Sequence, residues 1–509
     1  MSPDLSPRGG FSLLKRALLG GVLITLLSAA AVASAAFLEI EKITTEIAES
    51  GRAPIVLPEI DRADAGSART IMVLGSDLRY IDKKNGIKPR SDTIILLRLD
   101  PDKEAVSVMS IPRDLKVTIP GNDVPTKINA AFEQGGERLT LKTVKAVLGT
   151  RDRPFPINNV VTINFGAFRR AVNYIGCVYY DVDRRYFNDN VNVAERYATI
   201  DIKPGYQKLC GKDALDYVRH RHSDNDLFRA ARQQDFLRQL KSQGGIRKLM
   251  DPREGQTLAR VFSRYVDSDA GLRRTKGLLG MAKLALFTAD KPVREVEFRI
   301  TGEEGGGAYL NASQEAIDKT VDEFMAARAA VTSKESPPAE KRKRKKRPKK
   351  RVDGSEIPGL ESARREGEDQ AVLVASKVRF PFYFPALKRS GGVLDGGLSS
   401  EPTTRVYSLR DERGKVHRAY RMTVRLGDAG FPEPYGIQGT TWRNPPILDD
   451  PSETVTRNGR KLEVYYDGRD VRLVAWKTDR AVYWVSNTLR RRLSNPQMIG
   501  IAASLRRLG

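Results

Sequence analysis

"SDTIILLRLDPDKEAVSVMSIPRD", residues 91–114, holds two strand-like apolar runs separated by Asp100-Pro101-Asp102. An Asp-Pro-Asp turn between two such runs predicts a β-hairpin. Its second strand, 105–111, alternates up to Pro112 and is followed at once by Arg113 and Asp114, two opposite charges where a buried strand ends. Upstream, "RTIMVLG" (69–75) is a short apolar run broken by glycine, the pattern of a strand buried on both faces. Downstream, helical patterns over 138–149, 166–176, 211–220 and 227–241 alternate with extended runs such as "VVTINF" (160–165). Helices and strands interleaved in this way predict a three-layer α/β/α domain around a central mixed sheet.

At 509 residues and 40% hydrophobic content, the chain can build two cores. Residues 332–370 combine proline, glycine and dense charge with few apolar groups, so they read as a disordered basic linker. The region 69–331 is then the main domain and 371–509 a smaller α+β domain. In the latter, "KLEVYYDGRDVRLVAWKTDRAVYWVS" predicts three strands with turns at Asp467-Gly468 and Asp479-Arg480. A closing helix follows, presenting Met498, Ile501, Ala502 and Leu505 on one face with Pro496 in its first turn. No catalytic constellation is visible in this second domain.

Residues 17–38 form a 22-residue stretch without a charge, long enough to cross a hydrocarbon core of about 30 Å as a helix. Arg8, Lys15 and Arg16 precede it, whereas Glu39, Glu41 and Glu46 follow. This asymmetry predicts a single-pass membrane anchor with residues 1–16 in the cytoplasm, a stalk over 39–68 and an extracytoplasmic body. The competing reading is a cleaved signal peptide, for which "AVASAAF" supplies small residues. The two cysteines, Cys177 and Cys210, are expected to form a disulfide in an oxidising compartment, the alternative being two separate buried thiols.

The formal charge is +24, and "KRKRKKRPKKR" (341–351) holds ten of the positive charges, so the chain would still carry +14 without it. An anionic partner is implied. Nucleic acid is excluded as that partner, because the tract lacks interleaved aromatics and lies on the outer side of the membrane.

Several charged groups of the main domain fall at strand ends and in loops: "GSDLR" (75–79), "PRSDT" (89–93), "SIPRD" (110–114) and "KIN" (127–129). Asp77 and Asp92 each sit at the edge of a buried run, and two carboxylates brought together there need a proton or a cation between them. With oxygen ligands alone, Mg²⁺ is the fitting ion and Mn²⁺ the alternative. Capping of turns is the plainer role for each aspartate taken alone. A second cluster lies in "YVRHRHSDNDLFRAARQQ" (217–234), where Arg229, Arg232 and Gln233 share a predicted helical face and Arg219 and Arg221 stand just before it. Guanidiniums stacked so repel one another unless an anion intervenes, and arginine grips phosphate with two parallel bonds. A solvated basic face is the competing reading. Arginines and paired aspartates together are the equipment for binding a diphosphate.

The motifs "GSDLR", "RSDTIILLRLDP", "VMSIPRDLKVTIPG", "KINAAFEQGG", "ALDYVRHRH" and "DLFRAARQQ" occur in the order and spacing of the LytR-CpsA-Psr family, which the chain resembles strongly over 69–245 and more weakly to about 330. Leu115 stands where a small polar residue is expected, and two histidines interrupt the arginines at 219–222.

The resemblance implies a membrane-anchored phosphotransferase moving an anionic glycopolymer from a polyprenyl-diphosphate carrier to peptidoglycan, and pyrophosphatase activity is compatible with the same site. It implies that Asp77 and Asp92 hold the metal. Arg90, Arg113, Arg219 and Arg221 would clamp the diphosphate, with Arg229, Arg232, Gln233 and Lys127 completing its site. Arg113, Asp77, Asp92, Arg219 and Arg221 would be catalytic. A lipid tunnel lined by Phe132, Leu141, Val144, Val147 and Leu148 is also implied, although core packing explains the same pattern. The competing function is a non-enzymatic, membrane-anchored binder of anionic envelope polymers.

Overall fold

The computed structural model describes Thr45 and, in the main, residues 53–76, 91–191, 198–220, 226–245, 266–274, 293–326, 357–394, 404–427 and 433–509, with isolated positions between 277 and 291. The candidate anchor 17–38, Asp77, Arg90, Arg221 and the basic tract 341–351 lie outside the described residues, as does the side chain of Asp92. Among the described residues, no helix is long and apolar enough to cross a membrane.

The hairpin forms where the Asp-Pro-Asp turn places it, as β2 (Ser91–Asp100) and β3 (Ala105–Ile111). It joins β1 (Arg69–Ser76), β4 (Asn159–Asn164), β7 (Val266–Ser268) and β8 (Val293–Val296) in a six-stranded sheet of order β7-β4-β1-β2-β3-β8. Strands β1, β3, β4 and β8 run in one direction, β2 and β7 in the other, so the sheet is mixed. Alternate side chains divide between the two faces. Met72, Leu74, Leu96, Met109 and Ile111 pack under helices α1 (Ala130–Leu148) and α5 (Gln314–Ala326). Ile71, Ile95, Val106, Val108 and Val161 face the other layer, which includes Ala167 of α2 (Phe165–Ile175) and Leu237 of α4 (Asp226–Leu240).

Helix α1 begins eight residues before the expected 138, and the Gly135-Gly136 pair inside it is a break, with non-helical backbone at both positions. Of the residues considered for a lipid tunnel, Phe132, Leu141, Val144 and Leu148 are buried in the core, with Val147 packed against it. This is the core-packing reading.

A satellite core lies beside the sheet, built on the antiparallel pair β5 (Val178–Val182) and β6 (Gly205–Leu209) and on α3 (Gly211–Arg219). Val178 and Leu209 are register partners, so the residues just outside them, Cys177 and Cys210, meet at the end of the ladder. They form the expected disulfide.

Two boundaries differ from the sequence expectation. The folded domain starts before residue 69: Leu57 is buried, the Ile55 amide donates to the Ser268 carbonyl at 3.0 Å, and Asp61 accepts from Lys145 Nζ at 2.8 Å and the Ile157 amide at 2.7 Å. The linker also ends earlier than 370. Residues Leu360–Ser362 pair with Leu387–Arg389, and α6 (Arg364–Ala375) follows. Its buried seam consists of Ala363, Gly367 and Ala371, small residues four apart. Such a seam carries almost no hydrophobic signal amid so much charge. A Cβ at Gly367 would lie 2.7 Å from the Pro385 carbonyl oxygen, so this close helix contact requires glycine.

The C-terminal domain is a seven-stranded antiparallel sheet, β9 (Thr404–Arg410), β10 (Val416–Leu426), β11 (Glu433–Thr440), β12 (Glu453–Arg457), β13 (Arg460–Asp467), β14 (Asp470–Lys477) and β15 (Val482–Ser486), in the order β9-β10-β11-β15-β14-β13-β12. One face is covered by α6 and by α7 (Asn495–Ser504), whose Met498, Ile501 and Ala502 are buried, together with Leu505 just beyond its end, as the helical pattern predicts. Ser494 and Gln497 complete a capping box at its start.

The other face is covered by the first domain. Tyr179 and Tyr206 of β5 and β6 pack with Leu409, Trp442, Leu473 and Trp484 in one continuous core. Arg421, almost fully buried, pairs with Asp181, which also accepts from Trp484 Nε1 at 3.1 Å. The two domains are therefore fused by shared burial.

Candidate active site

Because β1, β3 and β4 run in the same direction, their carboxyl ends meet at one edge of the sheet, where β2 begins: Ser76 pairs with both Ser91 and Asn164, and Ile94 pairs with Ile111. Carboxyl ends of co-directional strands are the usual place for ligands in α/β sheets. The sequence candidates that the structure describes gather around this edge.

Arg113 follows Ile111 and Pro112, so its backbone leaves the sheet while the strand behind it stays in the core. Its Nε lies 3.4 Å from Asp114 Oδ2, and Lys127 Nζ lies 2.8 Å from Asp114 Oδ1. Asp114 therefore orients two cations while balancing only one. The Asn129 amide donates to the Arg113 carbonyl at 3.2 Å, fixing the turn. Lys127 also lies over the Tyr309 ring, 5.6 Å from its centre.

Arg219 occupies the last turn of α3. Its Nη2 and Nε donate to Asp216 Oδ1 at 2.6 and 3.0 Å, and its guanidinium lies over Phe165, the residue after β4, at 5.1 Å. Asp216 is almost fully buried and also pairs with Lys212, again one carboxylate for two cations.

Helix α4 carries Arg229, Arg232 and Gln233, all buried. Arg232 donates to the His220 carbonyl at 2.9 Å and stacks on Tyr186 at 4.7 Å and Tyr217 at 5.9 Å. Gln233 Nε2 bridges the Thr93 hydroxyl at 3.0 Å and the Val218 carbonyl at 3.2 Å, tying α4 to the start of β2 and to the end of α3. Tyr186 donates in turn to Asp183 at 2.7 Å. Burial pushes the Asp183 carboxyl above its ordinary range, against the opposing pull of Arg184, Tyr186, Arg421 and Arg232.

Of the residues singled out in the sequence, Arg113 follows β3 and Arg219 lies over the residue after β4 at this same edge, Lys127 joins Arg113 through Asp114, and α4 brings Gln233 to Thr93. Arg90, Arg221 and Asp77 lie outside the description.

For Asp92 the register is informative. Gly75 pairs with Thr93 and Ser76 with Ser91, so Asp92 is the extra residue of a β-bulge and Asp77 follows the last residue of β1. The Asp92 main chain thus lies at this sheet end, whereas Asp77 is outside the described residues. Among the described residues no group of three or more acidic, histidine or cysteine side chains forms a metal cluster.

The supporting residues Thr93, Asp216, Tyr186 and Tyr217 escaped sequence reasoning. Only Asp216 had a local signal, its i, i+3 spacing from Arg219 on a helix. The tyrosines reach Arg232 through tertiary packing.

Residues 32–325, more than half of the chain, match the LytR_cpsA_psr family. Over 214 residues the chain is 33% identical to the polyisoprenyl-teichoic acid–peptidoglycan teichoic acid transferase TagV of Bacillus subtilis (strain 168), covering 40% of this chain and 51% of that protein. It therefore spans about half the length of TagV. Identity to TagT of the same organism, which bears the same transferase name, is 29% over 305 residues, 59% of this chain and 89% of that one. Among solved structures, "TagT bound to LIIa-WTA" aligns with a TM-score of 0.39 and 25% identity over 54% of this chain and 96% of that chain. The crystal structure of Bacillus subtilis TagV aligns with a TM-score of 0.39 and 25% identity over 51% and 98%.

Proposed function

Because this chain belongs to the LytR-CpsA-Psr family, we propose that it is a phosphotransferase that moves an anionic glycopolymer from a polyprenyl-diphosphate carrier onto peptidoglycan, leaving a phosphodiester. The observation that carries the reading is that Arg113, Arg219 and Gln233 of α4 stand along one sheet edge, the first two oriented by Asp114 and Asp216.

In the reaction, a sugar hydroxyl of peptidoglycan attacks the phosphorus attached to the glycopolymer, and polyprenyl phosphate departs. Negative charge grows on the bridging oxygen as that bond breaks. Preoriented guanidiniums stabilise the developing charge more than the resting diphosphate, which is what raises the rate. Arg113 and Arg219 would take this role, and Arg229, Arg232 and Gln233 would hold the diphosphate. A Mg²⁺ held by Asp77 and Asp92 would supply further charge neutralisation on the phosphate oxygens. Residues 17–38 would anchor the chain with this site on the outer side of the membrane, and 341–351 would attract the polyanionic polymer over a range shortened by salt.

The test is incubation of the full chain in detergent with a polyprenyl-diphosphate-linked glycopolymer, peptidoglycan and Mg²⁺. Release of polyprenyl phosphate is expected; tight binding of the polymer without release would make the protein a tether. In the same assay Asp77→Asn and Asp92→Asn, which keep shape and remove charge, should each shift the Mg²⁺ requirement to higher concentration. Unchanged Mg²⁺ titrations in both variants would remove these residues from the metal site.

A further inference from the structure

Helix α4, "DLFRAARQQDFLRQL", is polar on every side and yet buried along most of its length: Arg229, Arg232, Gln233, Gln234, Asp235 and Gln239 are all nearly inaccessible. A helix of this composition is stable in an interior only if each polar face has a partner. One face meets the phosphate site through Arg232 and Gln233. The opposite face meets the C-terminal domain.

There, Arg491 Nη2 lies 3.2 Å from Asp235 Oδ1 and 2.8 Å from Asp467 Oδ2, joining a helix of the first domain to the end of β13 in the second. Arg238 of α4 pairs with Asp235, approaches Asp467 at 3.7 Å and donates to Glu295 of β8 at 2.8 Å. Tyr180 also donates to Asp235. Arg472, half-buried, stands beside the group. The first domain contributes Asp235, Arg238 and Glu295 to this cluster, and the second contributes Asp467, Arg472 and Arg491.

Burial alone would raise the Asp467 carboxyl, but Arg238 and Arg491 outweigh it and hold it below its ordinary range. Beside it, Arg490 Nη2 bonds Glu297 at 2.6 Å and its guanidinium lies over Phe228 of α4 at 5.5 Å.

The backbone of Arg491 adds an independent observation. Its φ is +57°, the left-handed region that a branched or long side chain enters only when its surroundings impose it. The turn after β15 holds this conformation, and the Arg491 Nη1 donates to the Thr488 and Leu489 carbonyls at 3.1 and 2.9 Å, which locks the side chain toward α4.

We propose that the C-terminal domain is a built-in positioning device for the phosphate site, with Arg491 and Asp467 latching the outer face of α4 so that Arg229, Arg232 and Gln233 on its inner face are held in place. This rests on the phosphate-site reading for its catalytic consequence, and on the interface alone for its structural one. Arg491 and Asp467 are positioning residues: their effect on the site passes through α4.

The test uses the full chain in detergent, with hydrogen exchange followed along α4 and a short-chain prenyl diphosphate as substrate. Arg491→Ala is expected to speed exchange across 228–240 about 3- to 30-fold while the amides of β1 to β3 keep their protection. KM for the diphosphate should rise by a similar factor, with kcat changed much less, because binding groups are loosened and Arg113 is not. Arg491→Lys should restore most of both, since a single nitrogen of Arg491 serves both carboxylates and an ammonium can take its place. Exchange in α4 that is the same in Arg491→Ala as in the parent would overturn the latch.

If Arg491→Ala speeds exchange everywhere, Asp467→Asn decides instead: a rise confined to α4 supports the latch, and none overturns it. A parent that neither binds nor cleaves the diphosphate would sink the phosphate-site reading, leaving the exchange comparison to judge the latch.

Discussion

Arg113→Ala is expected to lower transfer about 100- to 1,000-fold, the usual consequence of deleting one preoriented donor from a site of developing negative charge. Stability should hardly change. The side chain is about one-fifth exposed, and Asp114 keeps Lys127 at 2.8 Å when the guanidinium is gone. Initial rates of polyprenyl phosphate release, beside thermal unfolding of the same preparation, separate a lost charge from a lost fold. Turnover within a few-fold of the parent would remove Arg113 from the reaction.

The second large effect concerns Cys177 and Cys210. Their bond closes a loop of 33 residues, for which the chain-entropy model gives about 3 to 4 kcal/mol. The loss should fall mainly on the satellite core, where Cys177 precedes β5 and Cys210 caps α3, the helix that carries Arg219. Tyr186 and Tyr217, on which Arg232 stacks, belong to that same core. The double variant Cys177→Ser, Cys210→Ser should therefore unfold at lower denaturant concentration and bind diphosphate more weakly. A urea transition that coincides with that of the oxidised parent would show that the disulfide is not a stabilising element.

How far the sequence disclosed this molecule depends on the range over which each feature is specified. The hairpin, the strand ending at Pro112 and α7 are set by neighbours within a few residues, a turn tripeptide, a proline and a capping box, and all appear as the pattern predicts. Helix α6 was lost because its buried seam is Ala363, Gly367 and Ala371, whose smallness is meaningful only once Pro385 is seen against it.

The docking of the domains was equally hidden. Tyr179 and Tyr206 read as ordinary strand residues, and nothing local shows that they cover Trp442 and Trp484 more than 200 positions away. Gly205 marks the contact only in retrospect: its φ is +115° and a Cβ there would lie 2.6 Å from the Tyr407 oxygen. In the site, arginines at strand and helix ends were legible because charge at the end of a buried run is conspicuous. The residues that hold them, Asp216, Tyr186 and Thr93, look like the rest of their elements.

The central claim, that this sheet edge performs phosphoryl transfer, is tested most directly by the chemistry of the product. The full chain should be supplied with a polyprenyl-diphosphate-linked glycopolymer bearing ³²P in the phosphate next to the sugar, together with peptidoglycan, and the digested wall fragments analysed by mass spectrometry. The account predicts labelled fragments joined to the polymer through a phosphodiester, formed by the parent and about 100- to 1,000-fold more slowly by Arg113→Ala. Polymer that binds the parent while the wall fragments stay unlabelled would contradict it.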